Sequence, residues 1–391
     1  MADALIFDAV RTPRGRGKQD GSLHEATALR LAETALRAIK DRNELDTKLV
    51  DDVVLGCVDP VGEAGGDIAR AAALTADYGH HVPGVQINRF CASGLDAVNF
   101  AAAQIMSGQH DMVIGGGVES MSRVGIGASG GAWPVDPAIA IKSYFMPQGV
   151  SADLIATKYG FSRADVDGYA VQSQQRAAAA WADGRFAQEV MHLYVPPDYE
   201  TVATEDNTVR KDSSRESYDR LRPVFDRRHG TVTAGNSSPL TDGASALLLM
   251  RSEKAAALGL QPLGYLKSHA FAALDPRGQM LLGPAYATPL ALDRAGLTLK
   301  DLDLIDMHEA FSAQVLSNVQ AFSSQRFATE ILGRSQPIGE IDWERFNVAG
   351  GSIAIGHPFA ATGARQITQT LRELQRRGGQ FALCTACAAG G

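Results

Sequence analysis

Short apolar segments alternate with helical segments through the first third of the chain. Ala4 to Val10 is a mainly apolar segment that predicts a buried strand, and Leu23 to Arg42 places leucine, alanine and isoleucine on one helical face. Val53 to Cys57 and Met112 to Ile114 are further strand segments, the second ending at glycines, and a helix after Cys91 lies between them. This alternation predicts the α/β class with a parallel sheet.

The pattern changes after Gly117. Gly125 to Pro137 is rich in glycine, alanine and proline without a clean period, which predicts a loop. Ser162 to Asp183 reads as a helix, with a capping pair at its start and a glycine at its end. We therefore interpret residues 118–238 as an insertion with its own surface, after which Ala244 to Met250 returns to a strand pattern.

The last third repeats the layout of the first. His357 is followed by a helix, a glycine stop and the strand Phe381 to Ala386, in the order found after Cys91. This weak repeat predicts two similar α/β halves that face each other across a shared site. The predicted division is a first half of residues 1–117 and 239–262, an inserted loop domain of residues 118–238, and a second half of residues 263–391.

Composition narrows the class of protein. The chain has 391 residues, of which 45% are hydrophobic and 21% charged, as in ordinary globular proteins with a large core. A net charge of -7 argues against nucleic acid as a partner over the whole surface. Four cysteines are too few for a disulfide framework, and we find neither a basic leader nor an apolar run long enough for a membrane span. We expect a soluble protein of a reducing compartment.

Cys91 is the first candidate for chemistry. It directly precedes a helical pattern, and the small residues Ser93 and Gly94 in the first turn allow another group to approach. Unpaired amides and the helix dipole at such a position favour thiolate over thiol, and a thiolate attacks carbonyl or thioester carbon. A buried cysteine that behaves as a small hydrophobe is the alternative from this segment alone.

Three further places combine reactive side chains with strand ends or glycine-rich backbone. His308 follows a strand, His357 lies between a glycine and a proline in a glycine-dense stretch, and Cys387 precedes the final glycine pair. Ligands bind at strand ends in α/β sheets, and a cysteine nucleophile needs a rigidly mounted base. His357 is the predicted base, although a structural role is the commoner fate of a single histidine.

Cys384 and Cys387 form a C-x-x-C motif, which in other contexts indicates half a zinc site or a redox pair. No second C-x-x-C is present, and on a strand the two side chains point to opposite faces. We therefore predict no metal site, with Cys384 in packing and Cys387 in the active site. Cys57 is predicted to be a core residue.

Motifs along the whole chain then carry a resemblance. They are VRTP from Val10, NRFCASG around Cys91, GGGVESMSR, GTVTAGNSSPLTDGA, HEAF, GGSIAIGHPFAATGAR and CAAGG. With these, the chain resembles the thiolase family over essentially its whole length. The second half looks most like the 3-ketoacyl-CoA thiolase subunit of trifunctional fatty-acid-oxidation complexes. The resemblance implies a thiolase-like fold of layered αβαβα architecture.

The resemblance also implies roles for individual residues. Cys91 matches the nucleophile that carries the acyl group, His357 the histidine that activates it, and Cys387 the second cysteine, which acts as acid and base. His308 falls where many thiolases have an asparagine that positions a water. The backbone amides of Cys91 and Ala389 match an oxyanion site. Positions similar to contacts with coenzyme A (CoA) are Arg210, Ser217, Phe225, Ala234 and Ser238.

The implied activity is thiolytic cleavage of 3-ketoacyl-CoA by CoA in fatty acid β-oxidation, with CoA as substrate and no cofactor. A cytoplasmic homodimer or dimer of dimers is implied, with a hydratase/dehydrogenase subunit as a possible partner. The alternatives are a biosynthetic acetoacetyl-CoA thiolase, a decarboxylating ketoacyl synthase and a non-catalytic CoA- or lipid-binding relative. For Lys211 and Arg215, beside Arg210, we prefer the interpretation of a solvated charged loop.

Two departures from the family pattern bear on these roles. Histidine at position 308 is typical of the trifunctional branch, so the positioning of water there is expected to differ from that in thiolases with asparagine. The sequence ends at Gly390 and Gly391, where the family continues through another glycine into an apolar strand. Order around Cys387 is expected to depend on that difference.

Overall fold

The computed structural model describes residues 3–277 and 279–391. Its strands are β1 (Ala4–Arg11), β2 (Gly15–Arg16), β3 (Asp52–Gly56), β4 (Gly84–Ile87), β5 (Met112–Ser120), β6 (Leu193–Tyr194), β7 (Val202–Ala203), β8 (Thr241–Arg251), β9 (Gly264–Tyr265), β10 (Leu304–Met307) and β11 (Ala382–Thr385). Its α-helices are α1 (Ala28–Arg42), α2 (Ile68–Thr75), α3 (Ser93–Met106), α4 (Ala132–Val135), α5 (Pro137–Ser143), α6 (Gln148–Tyr159), α7 (Arg163–Ala182), α8 (Arg215–Asp219), α9 (Ser252–Leu258), α10 (Gly283–Ala295), α11 (Ser312–Ser323), α12 (Ser352–Ile355) and α13 (Thr362–Arg377). None of the helices in this described part combines the length and apolar character that crossing a bilayer requires.

The large sheet has the strand order β4-β3-β5-β8-β1-β9, with β2 beside β8. The predicted α/β class is confirmed, but the sheet is mixed and not parallel throughout. Strands β4, β3 and β5 are parallel, whereas β8 runs antiparallel to both β5 and β1. The chain reaches β8 only after the long insertion, so no short helical crossover fixes the direction of this strand.

Strand β5 continues through the three glycines that were predicted to end it. A methyl group at Gly116 would lie 2.2 Å from the carbonyl oxygen of Ser245, and one at Gly117 would lie 1.9 Å from that of Ala360. These glycines therefore permit close approach of neighbouring backbone and do not mark a turn. The loop that follows His357 rests directly on this strand as a result.

Helices α3 and α13 pack against each other at the centre of the molecule. Their facing surfaces share one apolar cluster that includes Ala97 and Val98 on α3 and Ala364 and Ile367 on α13. Gly94 permits a close crossing. A methyl group at this position would lie only 2.5 Å from the carbonyl oxygen of Ala360, in the turn before α13. The packing brings the first turns of both helices together, and with them the segments that carry Cys91 and His357.

The second half has the predicted order of histidine, helix, glycine and strand. Helix α13 ends at Gly378 in the left-handed conformation, and β11 then pairs in parallel with β10. A cavity of about 490 Å³ separates the segment 263–271 from β11. Because Cys387 follows β11 by two residues, this pair of strands sets where the second reactive thiol lies.

The insertion packs against the second half of the chain. Tyr169 on α7 and Tyr218 on α8 share an apolar cluster with Met307, Phe322 and Phe346. The loop predicted between residues 125 and 137 also contains the short helix α4, and Asp136 caps α5 by accepting from the amide of Ala138. The glycine-rich composition concealed α4 and the start of α5. The exact bounds of the three predicted domains remain a prediction.

Candidate active site

Cys91 lies in a tight turn at the start of α3. Phe90 directly before it has φ of 48°, in the left-handed region that side chains rarely adopt. The turn is closed by Ser93, whose hydroxyl accepts from the amide of Arg89 at 2.8 Å and donates to the carbonyl of Phe90 at 2.6 Å. Cys91 itself is only 2% exposed. Backbone geometry, and not a flexible loop, therefore orients this thiol.

The resting form of Cys91 is the neutral thiol. Burial raises the pKa of Cys91 to about 12, although the side chain of Gln148 and the amides of Cys91 and Ala389 act in the opposite direction. The expectation that the helix terminus favours thiolate was wrong. Helix α3 begins at Ser93, two residues after the cysteine, and desolvation outweighs the amides. Deprotonation of Cys91 consequently requires a base in contact with it.

Two histidines supply imidazole nitrogens beside this thiol. One ligand atom each from Cys91, His308 and His357 lie within 4.8 Å of one another, and all three residues are buried. The centroids of the two imidazole rings are 4.0 Å apart. Residues from the first half and from two separate loops of the second half thus converge on one point.

His357 is held in one orientation by hydroxyl groups. Its Nδ1 atom lies 2.6 Å from the hydroxyl oxygen of Thr362, and its backbone amide donates to the hydroxyl of Thr241 at 3.0 Å. The Thr362 hydroxyl donates its own proton to the carbonyl of Pro358 at 3.1 Å, so it accepts from Nδ1. The Nε2 atom of His357 is buried without a hydrogen-bond partner among the described residues. It is therefore the nitrogen that carries the free lone pair.

His308 is fixed through Ser352. Its Nδ1 atom lies 2.8 Å from the Ser352 hydroxyl, which also lies 3.4 Å from a guanidinium nitrogen of Arg365. Arg365 is buried and paired with Asp306 at 3.0 Å. Burial, with the charge of Arg365 second, lowers the pKa of His308 to about 3. The pKa of His357 is also lowered, by burial and then by His308 and Arg365. Both imidazoles are therefore neutral at physiological pH.

Cys387 lies next to Cys91. It is fully buried, and burial followed by the proximity of Cys91 raises the pKa of its thiol. Cys384 has different surroundings, because it packs on the apolar cluster between α3 and α13 and lies 3.5 Å from the hydroxyl of Thr370. The two members of the C-x-x-C motif thus face different environments, as predicted, although the strand ends at Thr385 and only Cys384 lies on it.

Glu119, which our sequence analysis left without a role, joins loops around the site. Its carboxylate accepts from the amides of Val58 at 3.0 Å, Asp59 at 3.2 Å and Ala360 at 3.2 Å. Burial raises the pKa of Glu119 to about 7 despite these three donors. Its position in the GGGVESMSR motif was the available signal, but only the fold shows which loops it ties together.

Glu309 has a similar function on the other side. It accepts from the hydroxyls of Tyr169 and Ser173, both at 2.7 Å, from the amide side chain of Asn347 and from the backbone amide of Ile353. These four donors offset only part of the effect of burial, which raises the pKa of Glu309. Glu309 therefore locks the His308 loop to helix α7 and to the glycine-rich segment before His357.

The residues predicted to contact CoA fall into two groups. The ring of Phe225 packs on α6, where a methyl group at Gly149 would lie 1.8 Å from that ring. Gln148, the residue before Gly149, contacts Cys91 through its side chain. The amide of Ser238 donates to the carbonyl of Ala310 at 3.0 Å. These two are therefore tied to the catalytic loops. The exposed residues Arg210, Ser217 and Ala234 lie on the surface of the insertion without such a tie.

Comparison with known proteins agrees with this arrangement. The family profile for the thiolase N-terminal domain matches residues 4–253, and that for the thiolase C-terminal domain matches residues 260–391. The chain is 48% identical to proteins named 3-ketoacyl-CoA thiolase from Yersinia pestis (strain Pestoides F) and from Yersinia pseudotuberculosis, serotypes O:1b and O:3. Each of these alignments covers 99% of this chain and 94% of the relative. The chain belongs to the thiolase family.

Proposed function

We propose that this thiolase is an acyltransferase that cleaves 3-ketoacyl-CoA with CoA, giving acetyl-CoA and an acyl-CoA shortened by two carbons. The observation that carries the proposal is the convergence of Cys91 with His308 and His357, with Cys387 beside Cys91. A nucleophilic thiol, a neutral base and a second thiol are the groups that this reaction needs. The relatives that share 48% identity are named for the same substrate class.

The first step transfers the acyl group to the enzyme. His357 takes the proton of Cys91 at its free Nε2 atom, and the thiolate attacks the 3-keto carbon of the substrate. The bond between C2 and C3 then breaks, and its electron pair forms the enolate of acetyl-CoA. The acyl group remains on Cys91 as a thioester. A base in contact is required because burial keeps the Cys91 thiol protonated.

The enolate is protonated at C2 by Cys387, which releases acetyl-CoA. Burial raises the pKa of the Cys387 thiol, so Cys387 keeps its proton until the basic enolate carbon takes it. His308 lies beside Cys91, and we assign it the role of holding a water that donates a hydrogen bond to the thioester oxygen. Loss of one such donor typically slows catalysis by the equivalent of about 2.7–4 kcal/mol.

The second step regenerates the enzyme. Cys387 takes the proton of the incoming CoA thiol, and the resulting thiolate attacks the carbonyl carbon of the thioester on Cys91. The amides of Cys91 and Ala389, which both act to lower the pKa of the Cys91 thiol, would bind the oxygen of the tetrahedral intermediate. Cys91 then leaves as thiolate and recovers its proton from His357, so that no cofactor is consumed.

Binding of CoA is assigned to the inserted residues. Phe225 and Ser238 are linked to the catalytic loops, which suits the pantetheine arm that must reach Cys91. Arg210 is exposed and makes no ion pair within the described ranges, so its guanidinium is free for a phosphate of CoA. Ser217 and Ala234 are exposed as well, and we assign them to CoA binding on the family resemblance.

Physiologically, we assign the reaction to fatty acid β-oxidation in the cytoplasm. Four unpaired cysteines, of which two are catalytic, support a reducing compartment. A homodimer or dimer of dimers is supported by β4, which lies at the end of the large sheet and has no strand on its outer edge among the described residues. Association with a hydratase/dehydrogenase subunit rests on the family resemblance of the second half.

The test is consumption of 3-ketoacyl-CoAs of graded length, followed by the absorbance of the enolate in the presence of CoA. We expect loss of the enolate signal only when CoA is present, and acetyl-CoA as a product at every length cleaved. A protein that decarboxylates malonyl thioesters but cleaves no 3-ketoacyl-CoA would instead be a ketoacyl synthase. A protein that binds CoA and turns over none of these substrates would be a binding relative.

A further inference from the structure

The catalytic cluster also has the composition of a transition-metal site. Cys91, His308 and His357 each present one ligand atom, and the three atoms lie within 4.8 Å of one another. One sulfur and two imidazole nitrogens form a donor set that suits Zn²⁺ and other thiophilic divalent cations and disfavours Mg²⁺ and Ca²⁺.

The two histidines are arranged as metal ligands usually are. In each ring Nδ1 contacts a hydroxyl, that of Ser352 for His308 and that of Thr362 for His357. In each ring Nε2 is buried and has no partner within the described ranges. An imidazole whose second nitrogen is held by a neighbouring group is the normal state of a metal-bound histidine.

The spacing of the three atoms requires only a small contraction. Bonds of about 2.3 Å to sulfur and about 2.0–2.1 Å to nitrogen place tetrahedral ligand atoms about 3.4–3.6 Å apart. The observed upper limit of 4.8 Å exceeds this by about 1.2–1.4 Å, and rotation of the Cys91 side chain towards the two fixed imidazoles is the adjustment that would close the gap. The cluster offers three ligands, so the fourth position would be taken by water.

We propose that Cys91, His308 and His357 bind one Zn²⁺ or similar thiophilic cation, and that this binding reversibly inhibits acyl transfer. Binding replaces the proton of the Cys91 thiol with the metal and releases that proton to solvent. The bound cation occupies the sulfur lone pair that attacks substrate and the Nε2 lone pair of the base. An acyl group on Cys91 removes the thiolate ligand, so substrate and metal exclude each other.

The test uses Co²⁺ as a spectroscopic substitute for Zn²⁺ on the complete chain. We expect a thiolate-to-cobalt charge-transfer band that saturates at one equivalent. The band should disappear in Cys91→Ala and require at least tenfold more Co²⁺ in His308→Asn, whose amide is a poor ligand. It should persist in Cys384→Ala, the matched cysteine outside the cluster. A band that survives Cys91→Ala would overturn the proposal.

A second arm needs no variant and therefore does not depend on how the variants fold. Wild-type protein is acylated with acetyl-CoA, freed of excess reagent and titrated with Co²⁺, and we expect the band to be absent until CoA removes the acyl group. An unchanged band in the acyl-enzyme would place the metal elsewhere and contradict the proposal. Activity measured in EDTA reports separately on the proposed thiolytic function, so the two failures are distinguishable.

Inhibition is the third readout. Buffered free Zn²⁺ should inhibit wild-type turnover, and the concentration for half-inhibition should rise at least tenfold in His308→Asn relative to that variant's own metal-free rate. Equal sensitivity of the variant and the wild type would show that Zn²⁺ inhibits through a cysteine alone, which would exclude the three-ligand site.

Discussion

The Nδ1 atom of His357 lies 2.6 Å from the hydroxyl oxygen of Thr362, five residues further along the chain. Because Thr362 donates its proton to the Pro358 carbonyl, this contact fixes the imidazole with its proton on Nδ1 and its lone pair on Nε2. A threonine in the first turn of α13 therefore sets the tautomer that His357 needs for its proposed role as base.

Replacement of Thr362 should slow the acylation of Cys91 without abolishing it. Thr362→Val keeps the shape but removes the acceptor, and we expect acyl-enzyme formation to slow by about tenfold, equivalent to a hydrogen bond of about 1.4 kcal/mol. Thr362→Ser retains the hydroxyl and should stay near the wild-type rate. Rapid-quench mass spectrometry measures the acylation rate. Equal rates in Thr362→Val and wild type would remove Thr362 from the mechanism.

Replacing Cys91 and replacing Cys387 should affect different steps of the proposed reaction. Cys91→Ala lacks the nucleophile and should form no acyl-enzyme with acyl-CoA, whereas Cys387→Ala should still form it but fail in proton exchange at the acetyl-CoA methyl carbon. Intact-protein mass spectrometry and exchange of deuterium into acetyl-CoA are the two measurements. An acyl label found on Cys387 and not on Cys91 would reverse the assigned roles. Cys384→Ala serves as the control and should behave as wild type in both.

Much of this site could be predicted from local sequence. Cys91 before a small-residue helix, and His357 between glycine and proline, each carry their signal within a few residues. The different environments of Cys384 and Cys387 were also predicted, although Cys387 lies beyond the end of β11 and not on the strand. Local patterns suffice here because helix starts and strand faces depend on nearby residues.

The protonation states could not be predicted in this way. The positive charge beside the histidines comes from Arg365, which reaches His308 through Ser352 and is paired with Asp306. That contact depends on the docking of α13 against β10, which no local pattern contains. The burial that keeps Cys91 protonated has the same origin, since α3 is covered by a segment that lies far along the chain. Tertiary packing therefore reversed the expectation of a thiolate.

Glu119 should make stability depend on pH. Its folded pKa of about 7 lies above the ordinary value of 4.5, because burial disfavours the carboxylate. Between these values the folded state binds more protons than the unfolded state, so stability falls as the pH rises through this window. Relative to Glu119→Gln, the wild type should lose about 3 kcal/mol of unfolding free energy from pH 4.5 to 7.

Urea unfolding at several pH values measures this difference, with Glu340→Gln at an exposed position as the control. The control should follow the wild-type profile. If Glu119→Gln and wild type also have parallel profiles, the carboxyl group is not titrating in this window and the inference from its burial is wrong.

Gly94 should tolerate no side chain. The methyl group of Gly94→Ala would lie 2.5 Å from the carbonyl oxygen of Ala360 and 2.8 Å from the amide nitrogen of Ala364, both backbone atoms. We expect a loss of about 1–3 kcal/mol of stability and a lower acylation rate, because α13 must shift away from α3 and carry His357 with it. Gly125→Ala meets nothing within 4 Å and is the matched control. Wild-type stability and rate in Gly94→Ala would show that the helix crossing is not close.

Arg210 should contribute to CoA binding through charge. Its backbone amide is fixed by the side chain of buried Gln174 at 2.8 Å, while its guanidinium is exposed and forms no ion pair within the described part of the chain. Neighbouring Lys211 is exposed too but is paired with Glu205 at 3.4 Å.

We expect Arg210→Ala to weaken CoA binding by about three- to tenfold at low salt, with a smaller difference from wild type at high salt because ions screen exposed charges. Calorimetry at two ionic strengths measures this, and Lys211→Ala should bind as wild type does. Equal losses in both variants would indicate a general effect of net charge and not a phosphate contact at Arg210.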